Sequence, residues 1–417
     1  MSTPDPKGRD TVRELARCVA ALAASPENER RRHLWRDVNS RRRPERPPII
    51  CHPGTGAWEE LLPRTVLSAT DPWLAEIEYQ LRKTLCKWDI GDDTVVEPWM
   101  GVGTVMRLRG PHFWGLPVVH VRADSAVPGS PTRNAWRYEP PLREEADLDR
   151  IAMPRYDHDA AATQQALDRM HALLGDILPV RRQCSVPGPG AWLHGWATEL
   201  RGVEQLLFDL MDRPAWVHRL MQTLMTGFLG VMDQFEQAGV LTSNNLALMA
   251  CDDLPDPALD RQRPCRLKDL WGRGESQEFQ GVSPAQYEEF LLRYQRPILE
   301  RFGLSYYGCC EDLTRKIPLV LTIQNLRRFI CSAWTDLGRL AEAVGDRYCI
   351  EWRQRATDVA YATDLSAIRT HLERGLLEQA RGARIMVVLQ ELETVNRNPR
   401  RLGEWAALAK EVGARCA

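Results

Sequence analysis

The residues best suited to chemistry in this 417-residue chain gather in Tyr306-Tyr307-Gly308-Cys309-Cys310-Glu311-Asp312. An apolar, β-rich run, Leu304–Tyr307, ends there in two thiols and two carboxylates within one turn. Gly308 lets the backbone bend, so neighbouring side chains need not point to opposite faces. Thiolate sulfur and carboxylate oxygen both ligate zinc, and a catalytic zinc needs only three protein ligands with one position left open. Because Cys309 and Cys310 are adjacent, the expectation is one ligand and one packed thiol. The competing reading makes both of them small buried residues, since a free cysteine packs as a hydrophobe.

Other reactive groups stand at the ends of other short apolar runs. Cys51 and His52 close the first, while Glu97 and Trp99 close the second, with Arg107, Arg109 and His112 soon after. Cys184 to His194 follows the third, Glu351 and Arg353 end the seventh, and Glu391 and Glu393 end the eighth. His52, Glu97, His112 and His194 are the candidates for moving protons. Arg107, Arg109 and Arg353 can pair with an anionic substrate, with Trp99 and Tyr307 as further contacts. Cys309, Cys310, Glu311, Glu391 and Glu393 are the candidates for holding metal. Glu391 and Glu393 alternate along a strand, so at most one of them should face a site. His218 and His371 lie inside helical stretches and read as structural.

The elements that must position these groups follow a rhythm. β-rich runs recur at Pro48–Cys51, Thr94–Glu97, Val180–Val186, Leu304–Tyr307, Leu326–Cys331, Tyr348–Trp352 and Ile385–Leu389, with Val240–Cys251 as a less clear eighth. Helices with readable starts lie between several of them. Ser283-Pro284-Ala285-Gln286 is a capping box with proline at the first helical position, and Gly239 and Gly345 end two others. Strand–helix alternation of this kind means a parallel sheet, and eight strands closing into a (β/α)8 TIM barrel leave no edge to protect. Residues 1–45 read as an Arg-rich helical extension and 46–417 as a single barrel domain. The stretches 122–155 and 252–281 read as long loop insertions. Gly272-Arg273-Gly274, in the second, follows no run of strand-forming residues and is given little weight.

Composition sets outer limits. Hydrophobic residues make up 44% and charged residues 27%, which is the balance of a folded globular protein. Fifty-five cations against 56 anions remove any general electrostatic case for nucleic acid or an anionic membrane. The polar, proline-containing N-terminus and the lack of a long apolar run read as a cytoplasmic protein without a secretory signal or membrane span. Eleven cysteines at irregular spacing are expected to be reduced thiols.

Several segments together resemble the uroporphyrinogen decarboxylase superfamily. They are Arg201-Gly202-Val203-Glu204 through Arg213-Pro214 with Val217-His218-Arg219-Leu220, the Tyr-Gly-Cys-Cys-Glu strand end, Asn325-Leu326-Arg327-Arg328, and Asn398-Pro399-Arg400-Arg401-Leu402. Trp35-Arg36-Asp37-Val38-Asn39 ahead of Arg46-Pro47-Pro48 is similar to its decarboxylase-like subgroup. The resemblance covers about residues 30–415 and implies a (β/α)8 barrel hosting either decarboxylation or corrinoid-dependent methyl transfer. The family's decarboxylases carry arginine just after the first strand, where this chain reads Ile50-Cys51-His52-Pro53-Gly54-Thr55-Gly56-Ala57-Trp58. Its methyltransferases hold zinc through His-x-Cys at the fifth strand end, where this chain has Tyr307 and Cys309, and a cysteine near the eighth, where it has Glu391 and Glu393. The resemblance therefore implies a zinc-assisted methyltransferase moving methyl between a small-molecule heteroatom and cobalamin. No Asp-x-His-x-x-Gly corrinoid motif is present, and Asp157-His158-Asp159 does not fit it, so the corrinoid would arrive on a separate protein. The alternatives are a metal-free decarboxylase or lyase acting on a carboxylated small molecule, and a non-catalytic ligand-binding barrel.

Overall fold

A computed structural model describes residues 5–122, 136–188, 190–257 and 263–416. Its strands, in chain order, are β1 (Ile49–Pro53), β2 (Met100–Gly103), β3 (Met106–Leu108), β4 (Val119–Arg122), β5 (Trp136–Glu139) and β6 (Tyr156–His158). They continue with β7 (Val180–Gln183), β8 (Trp271–Gly274), β9 (Leu304–Tyr307), β10 (Leu326–Cys331), β11 (Cys349–Gln354) and β12 (Arg384–Leu392). Six of these form one curled sheet in the order β1-β12-β11-β10-β9-β8. Every pairing in it is parallel, the first strand joining the last through Ile49 and Val387. β10 and β11 are buried along their whole length, as strands covered on both faces must be.

The result is a mixed α/β fold with a six-stranded half-barrel, compatible with a TIM-like barrel. Among the described residues the expected closed ring of eight is not completed by backbone ladders. β2 and β7 pair in parallel with each other but not with the six. Side chains take over where ladders stop. Beside β1, Asp93 accepts from the Ile49 amide and Asp92 from the Cys51 amide, each at 2.8 Å. Between β7 and β8, Thr242 bonds the Cys184 backbone and Asn244 bonds the Trp271 backbone. These bonds satisfy buried main-chain groups that a ladder would otherwise serve.

Three sequence expectations change. The run Thr94–Glu97 is irregular, and the strand begins at Met100. Val240–Cys251 contains no strand, only the short 3-10 turn Ala247–Met249. The sheet is instead extended by β8, inside a segment read as loop. β8 lacks β-branched residues because its neighbours come too close. A Cβ at Gly272 would lie 2.3 Å from the Phe302 ring, and one at Gly274 would lie 2.7 Å from Tyr307. Of the 122–155 stretch, residues 123–135 lie outside the described residues, as do 258–262 of the second insertion and the first four of the N-terminus.

The N-terminal helices do not stand apart. In α1 (Pro6–Ala23), Val12, Ala16 and Val19 pack against Leu74, Ile77 and Met170. In α2 (Pro26–Asn39), capped by Ser25, Trp35 and Val38 pack against Ile50, Cys349, Met386 and Val388. α2 thus forms a floor at the N-terminal ends of the central strands. The basic run around it is largely used in ion pairs, including Arg32 with Glu97 and Arg46 with Asp93. Among the described residues no helix is long and apolar enough to cross a membrane.

Asp93 ties this assembly together. It is fully buried, binds both Arg46 nitrogens at 2.6 and 2.8 Å, and meets Lys410 at 3.0 Å. Burial alone would lift its carboxyl, but Arg46 and Lys410 hold it below the usual range. Its stabilisation is therefore present above the unfolded carboxylate pKa of about 4 and is lost as pH falls through the lowered folded value. Asp93→Ala should cost about 3–5 kcal/mol in urea unfolding at pH 7, because it leaves two cations unpaired. The wild-type advantage over this variant should shrink progressively below about pH 4.

Candidate active site at the mouth of the half-barrel

The inward-facing residues of the six strands enclose a cavity of about 220 Å³. Strand alternation selects them: Ile50 and His52 from β1, Met386, Val388 and Gln390 from β12, and Glu351 and Arg353 from β11. Arg328, Tyr306 and Arg273 complete the wall from β10, β9 and β8, and Trp35, Leu248 and Met249 line it too. An ionic ladder runs up this interior. Arg328 binds Glu351 at 3.2 Å and also donates to Asn39 Oδ1 at 2.6 Å and to the Leu248 carbonyl. Arg353 Nε donates to the other Glu351 oxygen at 3.0 Å. Burial would raise the Glu351 carboxyl, but Arg353 and Arg328 hold it below its ordinary value.

At the upper end the ladder meets sulfur. Arg273 Nη2 lies 3.4 Å and Arg353 Nη1 3.8 Å from Cys309 Sγ. The two sulfurs are 3.3 Å apart, and Cys310 donates to Glu391 Oε1 at 2.7 Å. The bond with Cys309, then burial and Glu391, push the Cys310 thiol up. Backbone geometry makes the meeting possible. Gly308 has φ +118°, and a Cβ there would lie 2.8 Å from the Ile330 carbonyl oxygen. Glu391 has φ +64°, a strained state for a non-glycine residue. One donor atom from each of Cys309, Cys310 and Glu391 falls within 4.8 Å of the others. Two soft sulfurs and one carboxylate oxygen suit zinc and leave a position open. The flanking guanidiniums would offset the negative charge that such a set gathers.

The other residues singled out by sequence fall elsewhere. Glu311 is fully buried, accepting from the Ser276 amide at 2.7 Å and the Cys309 amide at 2.9 Å, so it shapes the turn. Glu393 accepts from the Gly56 amide at 3.2 Å, in the first turn of α3 (Thr55–Leu61). Tyr307 is buried in the core, donating to Gln295 Oε1 at 2.6 Å. Glu97 accepts from the Ala247 amide at 2.8 Å and from Arg32 at 3.0 Å, which fixes the floor segment. Arg107 and Arg109 lie on the antiparallel β3–β6 pair, two-thirds exposed and bonded to Asp159 and Asp157. They project to solvent, on one side of that strand pair. Trp99 lies under Arg181, and His112 sits in the turn after β3; neither lines the cavity.

His52 does line it. Desolvation first, then Lys87, push its imidazole down to about 4. His194 is fully buried at the start of Leu193–Arg201, with Nδ1 bonded to Glu278 and Nε2 without a partner among the described residues. Burial and the neighbouring Glu278 raise the nearby Glu199 to about 7. Sequence reasoning missed Arg273 and Arg328, and left Tyr306 and Gln390 at their strand ends without a role. The legible signal was an arginine within the apolar run Leu326–Cys331, because a cation in a fully buried strand must face partners rather than hydrocarbon.

Neither a family model nor a curated protein matches this chain. Among solved structures it is similar to a methyltransferase from Methanosarcina mazei, with a TM-score of 0.52 at 10% sequence identity. The match covers 91% of this chain and 98% of that one. The likeness is one of fold.

His52 should stay neutral through the physiological range. Its ring resonances in an NMR titration should shift only near pH 4, against about 6.5 for a free histidine. Because the folded value is lowered, its contribution to stability is present above about pH 6.5 and is lost as pH falls toward 4. A midpoint near 6.5 would place the ring in open solvent.

Proposed function

We propose that this chain is a methyltransferase acting on a small molecule in the half-barrel cavity, with zinc held by Cys309, Cys310 and Glu391. The observation that carries the reading is the convergence of two sulfurs and one carboxylate oxygen within 4.8 Å beside that cavity. The fold shared with a methyltransferase supports it, as does the motif resemblance to the uroporphyrinogen decarboxylase superfamily. A cavity of about 220 Å³ is below the usual range for drug-sized ligands and favours a small substrate over a tetrapyrrole. The other station of the methyl group in this reading is a corrinoid carried by a separate protein.

The chain's own residues have distinct tasks. A zinc ion, when bound, supplies Lewis acidity toward a substrate heteroatom. Arg273 and Arg353, beside Cys309, balance the charge of the sulfur and carboxylate set. His52, neutral at pH 7, is suited to take the proton from a heteroatom that gains a methyl. Trp35, Ile50, Met386 and Val388 form the apolar part of the wall and limit water beside the reacting group.

Metal analysis of the purified full chain should find about one zinc per chain, and Cys309→Ser with Cys310→Ser should abolish it. Incubation of wild-type protein with methylcobalamin and free thiols, amines or alcohols should deplete the methylcobalamin absorbance as methyl passes to the heteroatom. Wild-type protein without metal at any growth condition would end the zinc reading and leave the metal-free lyase as the better account.

A further inference from the structure

β11 ends in two side chains that point opposite ways. Arg353 faces the half-barrel, while Gln354, the next residue, faces the outer helical layer as Trp352 does. There Gln354 lines a second cavity of about 390 Å³, bordered by the helices Ala356–Ala360 and Ser366–Glu373. No residue of this wall belongs to the half-barrel cavity. Gln354 is 5% exposed, and its Nε2 has no hydrogen-bond partner among the described residues. A buried amide donor in that state has lost water without gaining an acceptor, and a ligand that brings one relieves the cost.

The rest of the wall divides into two zones. Hydrocarbon from the buried Val359 and Ile368 and from the small Ala362 and Ala367 lines one part of it. The exposed Asp358 and Asp364 and the Tyr361 ring, 59% exposed, line the part that meets solvent. Arg355 is the one guanidinium in this wall, and it lies over the Trp334 ring at 4.5 Å. Desolvation holds the His371 imidazole below its ordinary value, so that ring adds no charge at pH 7. Two carboxylates against one guanidinium make the rim acidic and rich in acceptors.

We infer that this cavity binds an uncharged nucleoside, its base edge on Gln354, its base faces against Val359 and Ile368, and its sugar hydroxyls at Asp358 and Asp364. A carboxamide sets a donor beside an acceptor, the pairing that reads the edge of adenine. A flat ring with apolar faces suits the hydrocarbon zone, and carboxylates accept from ribose hydroxyls. The same carboxylates repel a phosphate, which is why the nucleoside rather than the nucleotide is the ligand. The volume lies in the usual range for small-molecule sites. The inference is independent of the reading given to the half-barrel cavity.

Calorimetric titration of the purified full chain with adenosine, adenosine monophosphate and ribose tests this. Adenosine should bind at least about tenfold more tightly than its monophosphate, and ribose should not bind up to about ten millimolar. Gln354→Leu should weaken adenosine by about tenfold. Without ligand the same variant should unfold at no lower urea concentration than wild type, because it removes an unsatisfied buried amide. Asp358→Asn, at an exposed position, should bring adenosine and its monophosphate to within about threefold of each other. No adenosine binding up to about ten millimolar, or a monophosphate that binds as tightly, overturns the inference. Adenosine affinity unchanged in Gln354→Leu also overturns it, since the nucleoside would then sit elsewhere. If that variant fails to fold, the wild-type comparison and Asp358→Asn still decide, and an unchanged preference in Asp358→Asn counts against the site.

Discussion

Arg328, Glu351 and Arg353 form a buried chain of charge on which the rest of the arrangement depends. A barrel interior is ordinarily filled with branched hydrocarbon. Here two neighbouring strands place a carboxylate between two guanidiniums instead. Such a triad stabilises little in itself, because desolvation offsets most of the Coulomb gain. Its members are nevertheless hard to remove singly, since each leaves an uncompensated charge behind. The lower guanidinium reaches the floor helix through Asn39 and the upper one reaches Cys309. One ionic chain therefore couples the closed end of the half-barrel to the open end and keeps the space between them polar.

The sulfur cluster depends on that ladder and on two unusual backbone turns. Gly308 solves its turn by having no side chain. Glu391 occupies left-handed backbone as a full-sized residue, which is tolerated only when the surroundings over-determine it. The Cys310 bond and the nearby Arg353 supply part of that constraint. Ser276 and Thr335 brace the same region through Glu311, a residue whose acidity serves the turn rather than the solvent side.

Much of the fold was legible because buried parallel strands need apolar residues. β9 to β12 appear in the sequence as Leu304–Tyr307, Leu326–Cys331, Tyr348–Trp352 and Ile385–Leu389, each close to its observed bounds. β8 was not legible, because Trp-Gly-Arg-Gly owes its strand to contacts with Phe302 and Tyr307 that are remote in sequence. The sulfur–carboxylate cluster was legible in its parts but not in its membership. Cys309, Cys310 and Glu391 converge, while Glu311 and Glu393 turn to backbone amides that no local spacing reveals. Arg107 and Arg109 carried the right chemistry on the wrong surface, since the short antiparallel β3–β6 pair that exposes them joins strands remote in sequence and leaves no strong apolar pattern.

Asn39 also fixes the order in which the molecule can be completed. It bonds the backbone of Leu248 and Ala250 and the side chain of Arg328, 289 positions further along. The first strand likewise finds its ladder partner only in the last one. On the ribosome, α2 and β1 emerge long before either partner exists, and contacts this distant in sequence form slowly. Until β12 has been made, Trp35, Val38 and Ile50 lack part of their apolar cover. The base of the cavity is thus laid by residues near 35–50 but sealed by residues hundreds of positions later, which ties its assembly to translation through the last strand of the sheet.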